Sequence, residues 1–189
     1  MVESPKRDEE PQDEALLTAI AAGDNDAVST FYLRHEARVY RYALSKLGDS
    51  FAAADILNDV MLEVWKSASR FQGRSKVTTW LLGIAHHKVV DHWRKQGARD
   101  YTELDENLAD DSSGANLEQL ATAASDGKLL HACLAKLSAE HREILHLVFF
   151  EELGYSEIAD IIEVPEGTVK SRAFHARNLM KKQLANAMR

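Results

Sequence analysis

Between residues 100 and 126 the chain carries eight acidic side chains and not one Lys or Arg. The overlapping stretch 97–125 is rich in Gly, Ser, Asp, Asn and Ala and poor in large apolar residues. Such a composition buries too little apolar surface to offset the entropy of ordering it, so it divides the chain in two. On either side nearly every segment repeats its apolar residues at helical spacing, and no run alternates as a strand would. The expected fold is all-α, two small helical domains joined by a flexible acidic linker. Residues 1–12 would form a disordered charged tail, 13–96 the first domain, 97–126 the linker and 127–189 the second domain. Each half has the apolar residues for a modest core.

The spacing predicts a short helix over 13–22 and a longer one over 26–47. In the second, Val28, Phe31, Tyr32, Ala37, Tyr40 and Leu44 recur at helical steps, and Gly48 marks the stop. A third helix is predicted over 52–67, with Ile56, Val60, Glu63 and Val64 along it. A fourth covers 77–95, where Leu81, Ile84, Ala85, Val89 and Trp93 form one stripe. The run Phe71-Gln-Gly-Arg-Ser75 breaks the pattern between them. Helical spacing resumes from Leu129 to the C-terminus.

The formal net charge of -7 argues, taken alone, against a polyanionic partner. The charges are nevertheless sorted along the chain. Residues 70–99 hold seven basic groups against Asp91 alone, and residues 165–189 hold six against Glu166 alone. Two basic segments flanking an acidic one point to two contacts with a polyanion, although solvated helix faces would look the same. The single cysteine, Cys133, excludes an internal disulfide framework and fits a reducing compartment. The charged opening MVESPKRDEEPQDE lacks the apolar core of a signal peptide, and no apolar run nears the ~20 residues of a membrane span. A cytoplasmic location without a membrane span is expected.

The strongest short pattern is YSEIADIIEVPEGTVKSRAFHARNL, residues 155–179. Ile158, Ala159 and Ile162 mark one short helix, and Pro165 suits the first turn of a second. Val169 would tuck under the first helix while Lys170, Arg172 and Arg177 face out. In a helix-turn-helix the start of the second helix enters the major groove, where Lys and Arg donate to guanine or phosphate and Thr168 and Ser171 reach either. A helical hairpin with a basic face has the same periodicity; the run Glu166-Gly-Thr-Val-Lys-Ser-Arg172 favours DNA.

At this point the chain resembles a bacterial RNA polymerase sigma factor of the extracytoplasmic-function (ECF) type. Leu137-Ser-Ala-Glu-His-Arg-Glu-Ile-Leu145 is similar to the helix that opens the family's fourth conserved region. Glu152-Leu-Gly-Tyr-Ser-Glu-Ile-Ala159 and Glu166–Arg172 resemble that region's helix-turn-helix. Ala54-Asp-Ile-Leu-Asn-Asp-Val-Met-Leu-Glu-Val-Trp65 resembles the family's polymerase-binding helix. Phe71-Gln-Gly-Arg-Ser-Lys-Val-Thr-Thr-Trp-Leu81, with Ile84-Ala85 and Asp91-His-Trp-Arg94, resembles its promoter-melting segment.

The resemblance implies an initiation factor that binds core RNA polymerase, opens DNA at the minus-ten element and reads the minus-thirty-five element as duplex. Its partners would be core polymerase, promoter DNA as duplex and melted single strand, and an anti-sigma factor. The acidic linker would lie in the enzyme's RNA-exit path. Carried over by position, Asp55, Ile56, Asn58, Asp59, Glu63 and Trp65 would bind polymerase. Arg74, Ser75, Lys76, Thr79, Trp80, His87, Lys88, Asp91, His92, Arg94 and Lys95 would serve the minus-ten element. Trp80 and Trp93 also suit a core role, as large aromatics usually do. Thr168, Lys170, Ser171, Arg172, Phe174, His175 and Arg177 would serve the minus-thirty-five element.

Three positions depart from the family pattern. Ala54 stands where a Glu is usual, a loss on the order of 1 kcal/mol if that carboxylate meets polymerase. Glu163 occupies a turn position that often holds Gly, and Gly154 replaces a common Ser near a helix start. Eight histidines invite a metal reading, but no Cys-x-x-Cys or His-Glu-x-x-His pattern is present. No catalytic residue, cofactor or metal is expected. Two alternatives remain, a stand-alone helix-turn-helix regulator and a helical metal-dependent hydrolase using His87, His92 and His146.

Overall fold

The computed structural model describes residues 10–97 and 127–187. Among these the regular structure is helical, without a strand. The expected linker lies outside the described residues except for Gly97, as does most of the expected tail. The chain divides into two compact units, chiefly between Gln96 and Gly97.

In the first unit α1 spans Glu10–Ala21, α2 Asn25–Leu47 and α3 Ser50–Ser67. A 3-10 turn, Ala68–Arg70, and an irregular loop then lead to α4, Val77–Lys95. Local chemistry sets these limits. The Asp24 carboxylate accepts from the N–H groups of Asp26 and Ala27 at 2.8 and 3.1 Å. Asp49 does the same for Phe51 and Ala52 at 2.8 and 3.2 Å, so each carboxylate satisfies donors that a helix start leaves unpaired. Gly48, at φ 67°, supplies the left-handed residue that stops α2. The four helices close over Phe31, Val39, Tyr42, Val60, Val64, Val77, Leu81, Leu82, Ala85 and Val89, all buried.

Two expectations need correction. The first helix begins at Glu10, so residues 10–12 are helical rather than tail. Its anchor is Asp13, which is buried, with Arg34 Nη1 at 2.7 Å and His35 Nε2 at 3.1 Å. His35 Nε2 makes no directed hydrogen bond there, and the contact is one of close approach and packing. The buried face of α2 is also rotated from the expected stripe. Val28, Tyr32, Tyr40 and Leu44 are half-buried and Ala37 is exposed, whereas Ala27, Phe31, His35, Val39, Tyr42, Ala43 and Lys46 are buried. His35 is taken in beside Asp13 and Phe31, and the Lys46 ammonium lies 4.9 Å from the centre of the Trp93 ring.

The second unit contains α5 (Gly127–Ala135), α6 (Ala139–Leu145), a π-helical turn (His146–Phe150), α7 (Tyr155–Ile162) and α8 (Glu166–Ala187). Ser138 caps α6 by accepting the His141 N–H at 3.3 Å. Cys133, Leu137, Leu145, Ala176, Met180 and Leu184 form the core, with Phe149 and Leu179 packed against it. The turn between α7 and α8 has Glu163 in the left-handed conformation, φ 55° and ψ 43°, at a cost of about 1 kcal/mol for a side chain that glycine would avoid. Without a hydroxyl at Gly154, half a capping box remains, the Gly154 N–H donating to Glu157 Oε2 at 3.0 Å. Pro165 precedes α8 rather than opening its first turn; its carbonyl accepts from Thr168 and Val169.

Candidate nucleic-acid and protein interfaces

The outer face of α3 carries Phe51, Asp55, Asn58, Leu62 and Trp65, all exposed and spaced four, three, four and three residues apart. That spacing puts them on one side of a helix. Phe51 is 84% exposed, Leu62 46% and Trp65 53%, large apolar side chains left in solvent on one side of the helix. Ile56 is 2% exposed and belongs to the opposite, core-facing side, so its assignment to a polymerase contact is corrected. Ala54 is half-buried and Asp59 exposed beside the stripe. Sequence reasoning missed Phe51 and Leu62; their spacing with Trp65 was the available indication.

Glu63 and Lys88, assigned above to different partners, face each other at 2.9 Å across a groove between α3 and α4. The Lys88 hydrogen bond and charge hold the Glu63 carboxyl below its usual range. The groove, about 310 Å3, is also bordered by Asp55, Asp59, Asp91, His92 and Lys95. Sequence position alone could not reveal that acids of one helix and bases of the next share one wall.

In the loop before α4, Arg74 and Lys76 are exposed and Ser75 half-buried. The Phe71 and Trp80 rings pack at 5.3 Å between centroids, and Trp80 is half-buried, so it both supports the loop and keeps an accessible edge. Thr79 is 4% exposed and its hydroxyl is enclosed, which removes it from direct contact with DNA. Farther along α4, His87, Asp91, Arg94 and Lys95 are exposed and His92 is half-buried. Arg94 pairs with Asp91 at 3.2 Å, and His92 bonds Gln96 at 2.9 Å.

At the start of α8, Glu166, Gly167, Lys170 and Ser171 are exposed, while Val169 is buried as expected. Lys170 pairs with Glu166 at 2.7 Å, and the Ser171 hydroxyl donates to the Thr168 carbonyl at 3.0 Å. The outward placement expected for Arg172 and Arg177 is corrected. Arg172 is half-buried, 3.8 Å from Glu140, and Arg177 lies over the Phe149 ring at 5.4 Å. Thr168, Phe174 and His175 are likewise half-buried. Behind them, burial and then the charges of His175 and Arg172 hold His141 below its ordinary pKa.

The Sigma-70 region 2 family model matches residues 31–99, and the Sigma-70 region 4 model matches residues 127–180. The chain belongs to the sigma-70 family, in its extracytoplasmic-function group. It is 29% identical over 161 residues to the ECF RNA polymerase sigma factor SigK of Mycobacterium bovis (strain BCG / Pasteur 1173P2), covering 84% of this chain and 86% of that one. It is 28% identical over 169 residues to SigL of Mycobacterium tuberculosis (strain CDC 1551 / Oshkosh), covering 86% and 91%. Among solved structures, the sigma factor RpoE in complex with the anti-sigma factor NepR from Bartonella quintana shares the fold at a TM-score of 0.62 and 22% identity, covering 93% of this chain and 98% of that one. CnrH in complex with the cytosolic domain of CnrY gives 0.64 and 21%, covering 92% and 97%. In this sigma factor, no three His, Cys, Asp or Glu side chains among the described residues come together as a metal site. No helix among them is long and apolar enough to cross a membrane.

Proposed function

We propose that the protein is a cytoplasmic alternative sigma factor that binds core RNA polymerase, directs it to specific promoters and helps to melt them. Residues 13–96 form the polymerase-binding and minus-ten domain, 97–126 the connection, and 127–189 the minus-thirty-five domain. The protein is not itself an enzyme; polymerase supplies the chemistry. The observation that carries this reading is the exposed row Phe51, Asp55, Asn58, Leu62 and Trp65 on the helix that resembles the family's polymerase-binding element. Its mixture of apolar anchors and carboxylates suits a protein partner rather than DNA. The minus-ten contact falls on Arg74, Ser75, Lys76, the edge of Trp80 and the exposed side chains of α4. The minus-thirty-five contact centres on Lys170 and Ser171, with Thr168 and the half-buried Arg172, Phe174, His175 and Arg177 behind them. An anti-sigma factor, the kind of partner that RpoE has in its complex with NepR, is the expected regulatory partner.

The test is transcription in vitro, with purified protein, sigma-free core polymerase and fragmented genomic DNA. Discrete starts that share two upstream elements at fixed spacing are expected. Absence of both transcription starts and core binding would overturn the proposal and leave a duplex-binding regulator.

A further inference from the structure

One ion pair joins the two interfaces assigned to the first unit. Glu63 stands among the α3 residues carried over to polymerase, and Lys88 among the α4 residues carried over to the minus-ten element. The Lys88 ammonium donates to Glu63 Oε2 at 2.9 Å, and both side chains are half-buried. An ammonium has donors to spare. A phosphate brought to Lys88 while Glu63 stays in place would nevertheless set two anions side by side. A cation brought to Glu63 while Lys88 stays would set two cations side by side. Each group therefore meets its outside partner fully only when the pair opens.

The groove around the pair connects it to both faces. Asp55 and Leu62 belong at once to the exposed row on α3 and to the border of the groove, and Asp59 lies between them in sequence on that border. A protein seated on the row thus reaches the acids of α3 at the rim of the groove, where its basic groups would be drawn to Glu63. On the α4 side Lys88 shares the border with Asp91, His92 and Lys95. Asp91 pairs with Arg94 at 3.2 Å, so the counter-ion of Lys88 comes from α3 and not from its own helix. The pair is ionised across the ordinary pH range, because the Lys88 hydrogen bond and charge hold the Glu63 carboxyl below its usual value. Opening it takes only rotation of two flexible side chains, with no shift of either helix.

We infer that the Glu63–Lys88 pair is an autoinhibitory latch, which withholds Lys88 from the minus-ten strand in the free protein and is opened when polymerase engages the acids of α3. The two binding events then favour each other, since whichever partner opens the pair leaves the second nothing to break. A partly exposed ion pair is worth a factor of about 1.4 to 5 in an equilibrium, so the latch biases promoter contact rather than blocking it. The inference rests on the sigma-factor reading and adds to it a coupling between its two interfaces.

The experiment uses the full chain, alone and preassembled with saturating core polymerase. Its probe is a fluorescent single strand carrying the minus-ten segment of a promoter recovered by the transcription assay. Binding is titrated for the unaltered protein, Glu63→Gln, Lys88→Gln and the double variant. In the free chain Glu63→Gln should tighten strand binding by about 1.4- to 5-fold. That gain should vanish where Lys88 is already replaced, because the pair and not the lost negative charge carries it. It should vanish also in the holoenzyme, where polymerase has opened the pair. Reciprocally, Lys88→Gln should tighten binding of core polymerase by a similar factor. No gain from Glu63→Gln in the free chain, or a gain that survives in the Lys88→Gln background or in the holoenzyme, would overturn the inference. So would unchanged or weaker core binding by Lys88→Gln. Either result leaves the sigma reading standing, whereas failure of the unaltered protein to bind core polymerase or transcribe would overturn both.

Discussion

Lys170 and Arg172 differ in what holds them, although they stand two residues apart on one helix. Lys170 is exposed and pairs with Glu166, one turn earlier on the same surface. A pair of that kind contributes little to stability, about 0.3–0.5 kcal/mol, and gives way when a phosphate or a base edge competes. Arg172 is half-buried and approaches Glu140, which stands on α6. Its guanidinium therefore braces α8 against α6, besides belonging to the proposed DNA contact. Lys170→Ala should weaken binding of minus-thirty-five duplex by about 5- to 150-fold, one base or phosphate contact, with the melting temperature unchanged. Arg172→Ala should weaken binding and also lower the melting temperature. Parallel measurements of duplex affinity and thermal unfolding on the two full-length variants separate these outcomes. Equal effects on both properties would mean that the two side chains share one role.

At the scale of the helix, α3 shows how one element serves a core and a partner at once. Its inner face, Ile56, Val60 and Val64, is buried; its outer face keeps Phe51, Leu62 and Trp65 in solvent. Phe51→Ala, Leu62→Ala and Trp65→Ala should each weaken core-polymerase binding about fivefold or more, the threshold for an interface anchor, with thermal stability retained. Ile56→Ala should do the opposite, costing about 2–5 kcal/mol of stability through the cavity it leaves. A pull-down with core polymerase beside a thermal melt distinguishes the two faces. Helix positions were legible in the sequence because caps such as Asp24, Asp49 and Gly48 and the apolar spacing are local features. Faces were less legible. His35 and Lys46 are polar by type yet buried, because Asp13 of α1 and Trp93 of α4 receive them, and such partners are invisible in a window of one helix. The same reason hid the Glu63–Lys88 pair and the inward set of Arg172 and Arg177. On α3 the buried stripe was read and the second, outward apolar row was not, since spacing says which residues share a face and not which face is covered.

Across the whole molecule, the two units carry acid-sensitive groups that titrate in different ranges. In the second unit His141 is buried, and its pKa is lowered from 6.5 by burial and by the charges of His175 and Arg172. The folded unit thus resists a proton that the unfolded chain accepts at 6.5, so stability is full above that value and declines as pH falls below it. In the first unit burial would raise the Asp13 pKa, but His35 and Arg34 reverse that and hold it below 3.8. Its contribution is therefore present above 3.8 and lost only as pH falls below that value. Mild acid should loosen the second unit, while the Asp13 contribution to the first unit holds. All three tryptophans, Trp65, Trp80 and Trp93, lie in the first unit, so their fluorescence reports that unit alone, while far-ultraviolet circular dichroism reports both. Thermal melts of the full chain at about pH 7.5 and about pH 5.5, which bracket the ordinary histidine range, should show a dichroism transition that moves down and a fluorescence transition that does not. His141→Gln should flatten the dichroism shift, because the unfolded chain then gains no extra proton at that site. A fluorescence transition moving in step with dichroism, or a shift that survives His141→Gln, would mean that another group governs the response.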